Sequence, residues 1–371
     1  MSRKHIAGAG RLGSGPALGP QTDMNPVANL LAGALALPAS APSPEAQLGR
    51  VEVQGEAAIA REKKTLGQLF KAESLFEKFH ALAPAAALKF KVYARTQADA
   101  APSLELGLLT PAGRRPLVLD AEDRFVVDPA WRQLDERVEI RSRLADGRVT
   151  WRPDIRTPGV PEGERRLGDL RLQCRVAFGS GVARGTDFFG GLFSFAIDDC
   201  WDRDWSPSNF ADTPIFAVTL VHGERRLTLS ERLLHGLRDD GGPKYDWGYS
   251  LRERMFRLPM GDASWPDDTR VVFEAMDDPP TPPDPAVQAL KDDWAQAALG
   301  LTPGLTPAEV AQRLGAASDD TRFESGRRLQ RHLHDLKTPA GPVQLELVSL
   351  FDASDRLHKS SLRRLPPPRP K

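Results

Sequence analysis

The stretch DDCWDRDW, residues 198 to 205, concentrates four acids, two tryptophans, an arginine and one of the chain's two cysteines in eight positions. Carboxylates this close together could hold a cation, or serve as an acid–base pair if their surroundings split their pKa values. They could also bind the hydroxyls of a sugar ring stacked on the indoles, using Trp201, Asp202, Asp204 and Trp205. The cation reading fails on spacing. Counted from Asp202, oxygens stand at positions 1, 3 and 5 (Asp202, Asp204, Ser206), but Pro207 replaces the glycine of the sharp turn and Thr213 replaces the bidentate glutamate. The plainer alternative is a polar loop whose acids Arg203 neutralises and whose Cys200 is tied to Cys174.

Those two cysteines are too few for a structural zinc site, and no histidine lies near either in sequence. They are expected to form a disulfide if the protein is exported, and to be buried thiols if it is not. The seven histidines are scattered. His332 and His334 would share one face of a strand, but nothing nearby completes a metal shell, so the expectation there is the exposed face of an edge strand and no metal. GAGRLG (Gly8 to Gly13) matches a dinucleotide-binding pattern, yet only seven residues precede it, too few for the strand that must deliver the chain to the glycines. No G-x-S-x-G, HExxH or P-loop occurs. No catalytic residue and no cofactor is assigned.

Composition narrows the classes further. Fifty basic residues balance fifty acidic ones over 371 positions, so the chain lacks the basic footprint of a nucleic-acid binder. Thirty-two prolines and 31 glycines favour turns and short strands. Residues 1–46 read as a separate segment. Arg3, Lys4, His5 and Arg11 precede the 11-residue apolar run Val27 to Leu37, and Ala39 and Ala41 follow in an A-x-A arrangement. That is the order of a signal peptide, and the run is too short to span a bilayer. The alternative is a disordered Ala/Pro-rich extension.

The elements that must position these residues are mostly strands. Thr65 to Leu82 has the apolar spacing of a helix, with a capping box at Thr65 and Gln68 and a stop at Pro84. Beyond it the period becomes two: LKFKVYA, LELGL, LGDLRLQCRVAF, GLFSFAID, IFAVTLVHGERRLTL and TRVVFEA all read as strands. In VEIRSRLADGRVTWRPDI, Asp146-Gly147 sits between two further strands as a hairpin signal, and His222-Gly223-Glu224 marks another turn. LSERLLHGL suggests one short helix. The expected fold is therefore α+β, mostly β: an antiparallel sandwich- or barrel-like body over 47–275 with one N-terminal helix, divisible near residue 130. Residues 276–285, with five prolines, form a linker.

Residues 286–363 read as a small module of two helices and three strands, followed by a basic proline-rich tail over 364–371. Thr306, Pro307, Glu309 and Gly315 delimit one helix. The order of GLTPAEVAQRLG (Gly304 to Gly315), a strand, and LELVSLFDASDRLHKSSL (Leu345 to Leu362) resembles the SmpA/OmlA type of small outer-membrane lipoprotein domain over roughly the last 85 residues. His332 and His334 stand where that family carries an aromatic pair, and the family's lipid-modified cysteine has no counterpart. The resemblance implies a protein-binding accessory of the bacterial envelope. The expected function is a non-catalytic binding or accessory role in the periplasm or at the outer membrane, with envelope proteins or glycans as partners, no nucleic acid and no transmembrane helix. The alternative is a carbohydrate- or peptidoglycan-binding protein or hydrolase working through loop 198–205.

Overall fold

Strand β1 (Lys64–Thr65) leads into helix α1 (Leu66–Phe79), and Gln68 turns back to accept the Thr65 N–H at 3.0 Å. The computed structural model describes residues 64–94, 105–142, 149–182, 200, 208–236, 252–276, 285–338 and 341–365. Every described sheet is antiparallel and open, none closing into a barrel, and the fold is α+β and mostly β. No described helix is long and apolar enough to cross a membrane.

Two sheets cover α1. One runs β1-β6-β3-β4, with β3 at Leu106–Thr110, β4 at Gly113–Pro116 and β6 at Glu139–Ser142. The other runs β5-β2-β7, with β2 at Ala87–Ala94, β5 at Arg124–Phe125 and β7 at Val149–Arg156. The expected hairpin around Asp146-Gly147 is not formed by these strands; residues 143–148 lie outside the described ones. β6 pairs with β1 and β3, whereas β7 pairs with β2 along its whole length, from Ala94↔Val149 to Ala87↔Arg156. Eight cross-strand pairs outweigh a local turn preference.

LGDLRLQCRVAF is a helix, not the expected strand: α2 spans Leu167–Gly179. Its alternating apolar residues misled because it is buried on two sides. Leu172 and Val176 join the core under α1, while Leu167 and Leu170 join the core of the next sheet. A helix buried all round loses its amphipathic period. Gly168 lets it come close: a Cβ there would stand 2.2 Å from the carbonyl oxygen of Leu82.

The third sheet runs β11-β10-β13-β8, with β8 at Glu164–Arg166, β10 at Ile215–His222, β11 at Arg225–Thr228 and β13 at Arg270–Ala275. The turn expected at His222-Gly223-Glu224 joins β10 to β11, with His222 opposite Arg225 and Gly223 at φ 57°. A two-stranded ribbon, β9 (Asn209–Phe210) with β12 (Met255–Phe256), lies beside it in sequence order. In LSERLLHGL the described residues, 229–236, hold a single 3-10 turn, Glu231–Leu233, capped by Ser230.

The C-terminal helices are α3 (Pro285–Gln288), α4 (Asp293–Leu299) and α5 (Pro307–Leu314). The first helix of the module, which AVQALKDDWAQAALG (Ala286 to Gly300) suggests as one continuous element, is two: Asp292 interrupts it by capping α4, accepting the Ala295 N–H at 2.8 Å. Thr306, Pro307, Glu309 and Gly315 bound α5 as expected. The last sheet runs β14-β15-β16-β17, with β14 at Asp319–Arg322, β15 at Arg328–Thr338, β16 at Gly341–Phe351 and β17 at Leu357–Arg364. The expected three-stranded meander thus gains β14. One face packs on the helices through Val310, Leu314, Leu347 and Phe351. The other packs on β10, where Phe216 and Ala217 meet Leu329, Val348 and Leu350. Two sheets therefore face each other across an apolar layer.

Candidate functional site

Where those two facing sheets end, their edge strands β8 and β17 border a cleft of about 1700 Å³. The far end of β2 and the segment around Asp212 complete its walls. Small-molecule pockets measure about 300–1,000 Å³, so this space suits a longer ligand.

Beneath the cleft, Asp154 on β7 is 3% exposed and faces three guanidiniums. Arg124 Nε stands 2.7 Å away, Arg156 Nε 2.9 Å and Arg165 Nη1 3.4 Å. Burial pushes the Asp154 pKa up, but Arg165, Arg156 and Arg124 outweigh it and hold the carboxyl below the ordinary aspartate range. Arg165 also donates to the Ile155 carbonyl at 2.6 Å and to Gln173 on α2 at 3.1 Å. At the cleft mouth Arg156 grips Asp212 with both Nη atoms, at 2.8 and 2.7 Å, and Lys91 adds a third bond at 2.7 Å. Burial again opposes ionisation there, and Arg156 and Lys91 prevail, holding Asp212 far below its usual value. Tyr93, buried against Phe210, has its phenol pushed well above the usual range by burial and by the charges of Asp154 and Asp212. It stays neutral at physiological pH.

A second charged layer lies between the two facing sheets. Glu346 on β16 is 1% exposed and accepts from Arg226 on β11 at 2.6 Å and Arg363 on β17 at 2.7 Å. Arg363 also donates to Glu274 on β13 at 2.9 Å, and Arg331 donates to Thr219 on β10 at 2.6 Å. Burial raises the Glu346 pKa; Arg363, Arg226 and Arg331 lower it further than burial raises it. Arginine serves in both layers because its planar fork satisfies several acceptors at once.

This arrangement favours holding over reacting. A general base at neutral pH needs a pKa near 7, and the clamped carboxylates titrate far below that. Among the described residues, no group of three His, Cys, Asp or Glu side chains could hold a metal ion.

Trp201, Asp202, Asp204 and Trp205 lie outside the described residues. Cys174 and Cys200 are bonded, with Cα atoms 5.9 Å apart. Cys174 sits on α2 rather than on a strand, so the bond ties the residue before Trp201 to a helix. His332 and His334 do not form an exposed face. His332 is 2% exposed, and His334 stacks on Trp294 of α4 at 4.7 Å with Asp292 at 3.2 Å. Helices α4 and α5 cover that side of β15. Sequence reasoning missed Asp154, Asp212, Glu274 and Glu346 with their arginines. The only local signal is charge on otherwise apolar strands, as in VTWRPDIR and LELVSLF.

Comparison with protein-family models, curated proteins and solved structures finds no match to this chain.

Proposed function

We propose that the protein is a non-catalytic binding or accessory protein of the bacterial cell envelope. It is exported, stapled by Cys174–Cys200, and engages envelope proteins or glycans through the cleft between β8 and β17. The observation that carries this reading is the clamped state of the cleft's carboxylates. Asp212 takes Arg156 and Lys91, Glu164 takes Arg270, and Glu274 takes Arg363. Carboxylates already engaged by guanidinium partners fix a surface and are badly placed to relay protons. Cleft size supports a macromolecular ligand. Export is supported by the disulfide, since such bonds persist in oxidising compartments. The capped α5 and the strand order after it carry the resemblance to envelope accessory domains.

The test is a screen of the purified chain against chromogenic esters, glycosides and peptide amides. No turnover above background is expected. Turnover that vanishes in Asp212→Asn would overturn the reading. Acid-quenched thiol titration of the protein from fractionated cells checks the compartment: two free thiols would place it in a reducing one.

A further inference from the structure

α5 is a short segment tied down on both sides. Before it, Gly304 donates to the Leu357 carbonyl at 2.8 Å, and the Leu357 N–H donates to the Leu305 carbonyl at 2.7 Å. After it, Ser318 donates to the Arg331 carbonyl at 2.7 Å. Between those anchors only Val310 and Leu314 are buried, against Leu347 and Phe351 of β16. What α5 covers is partly polar. Alternation along β16 puts Ser349 on the same face as Leu347 and Phe351, and the ladder sets Gln330 opposite Ser349 and His332 opposite Leu347. Gln330, His332 and Ser349 are 6%, 2% and 0% exposed. Yet Gln330 Oε1, both ring nitrogens of His332 and Ser349 Oγ make no hydrogen bond with the described residues. The Gly315 backbone lies beside the imidazole without bonding geometry. These unpaired atoms oppose closure, because each regains a hydrogen bond to water when α5 lifts.

We propose that α5 is an acid-opened flap: residues 306–317 lift from the C-terminal sheet between their two anchors, with His332 as the proton sensor. The direction follows from what surrounds the imidazole. α5 presents the Gly315 backbone, and its Arg313 is exposed. β16 presents Leu347. On β15 itself, Gln330 is neutral, and His334 is turned to Trp294 and Asp292 of α4. β14 presents Asp320, which is bonded to Arg328 and Gln330. Burial is the largest influence and disfavours the charged ring; the Gly315 backbone and Asp320 favour it but are outweighed. The closed flap therefore holds His332 neutral, and the open flap returns it to water, where its pKa is about 6.5. Closure is fully supported above that value and weakens as pH falls below it. Between pH 7 and pH 5 the open population rises by up to about 25-fold, the limit for a ring that stays neutral while covered. Opening bares Leu347 and Phe351.

The experiment is native-state hydrogen exchange of the full chain at pH 7 and pH 5. An eight-residue helix does not persist alone in water, so lifting frees its amides. The reporters are the Val310 N–H, bonded to the Thr306 carbonyl at 3.0 Å, the Gly315 N–H, bonded to Ala311 at 2.9 Å, and the Trp294 indole N–H, bonded to Leu314 at 3.1 Å. Corrected for intrinsic rates, their protection should fall severalfold at pH 5 while the β15–β16 amides keep theirs. In His332→Gln the protection should not depend on pH. Ser349→Ala, which deletes one unpaired hydroxyl, should raise it at both pH values. Imidazole NMR of the parent chain should give His332 a midpoint below 6.5, a reading that needs no variant to fold. Unchanged protection at pH 5, an equal loss in the β15–β16 amides, or a loss that survives in His332→Gln would overturn the proposal. So would a His332 midpoint at or above 6.5, or lower protection in Ser349→Ala.

Discussion

Replacing Asp154 with Asn probes the charged cluster with little change in shape. The substitution removes the anion that three guanidiniums share, at 2.7, 2.9 and 3.4 Å. Arg124 and Arg165 are left with side chains only 9% and 6% exposed. Breaking a buried ion pair from one side costs about 3–5 kcal/mol. Arg165 keeps the Ile155 carbonyl and Gln173, Arg124 keeps Glu122, and Arg156 keeps Asp212. The low end therefore applies, about 3 kcal/mol at pH 7. The pH dependence has a definite sign. Asp154 is depressed in the folded state, so its contribution is complete above the unfolded value of about 3.9 and is lost as pH falls toward the folded value. Each pH unit in that window removes up to about 1.4 kcal/mol from the wild type and nothing from the variant at this site. Urea unfolding of both proteins at pH 7 and pH 3 measures the gap, which should narrow at the lower pH. A gap under about 0.5 kcal/mol at pH 7, or one that does not change with pH, would refute the reasoning, since surface pairs behave that way.

Further outcomes follow from other parts of the fold. Cys174→Ser with Cys200→Ser opens a loop closed over a separation of 26 residues, which predicts a loss of about 3.5 kcal/mol and a matching fall in urea midpoint; an unchanged midpoint would deny the staple its role. Gly168→Ala drives a methyl group into the Leu82 carbonyl and should cost about 3 kcal/mol or prevent soluble expression; a variant as stable as the parent would show that α2 can shift. Burial lowers the pKa of His332, so its neutral form stabilises the fold above the unfolded value of about 6.5, and that stability is lost as pH falls below it. His332→Leu should therefore be least damaging near pH 5, and a variant whose stability falls with pH as steeply as the parent's there would exclude the residue.

What was legible in the chain depended on how local its cause was. Thr306, Glu309 and Gly315 delimit α5 because each satisfies a backbone group within one turn, and Pro307 because it brings no N–H that needs a partner there. Gly223 marks the β10–β11 turn for the same reason. Elements whose surroundings come from afar misled. α2 alternates like a strand because two cores claim opposite sides of it. Asp146-Gly147 promised a hairpin that the β2–β7 ladder overrules. The cleft was illegible altogether. Lys91 and Asp212 are 121 positions apart, and Arg226 and Glu346 are 120, so no window of sequence contains both partners. The conspicuous acids of DDCWDRDW gave no hint of the quieter ones: Asp154, Glu274 and Glu346, each the single acid of its strand, and Asp212 in the loop between β9 and β10. For the cysteines, count and compartment logic left a bonded pair and two buried thiols both open; the structure holds the bonded pair, with one of its two elements a helix and not a strand.

A binding role requires the carboxylates in and beneath the cleft to be architecture. Carboxyl-carbon NMR titration of the intact protein, with Asp154→Asn and Asp212→Asn for assignment, tests that directly. The prediction is that neither Asp154 nor Asp212 shows a midpoint at or above the ordinary aspartate value of about 3.9. A carboxyl of this cluster titrating between about pH 5 and 8, where proton transfer is useful, would contradict it.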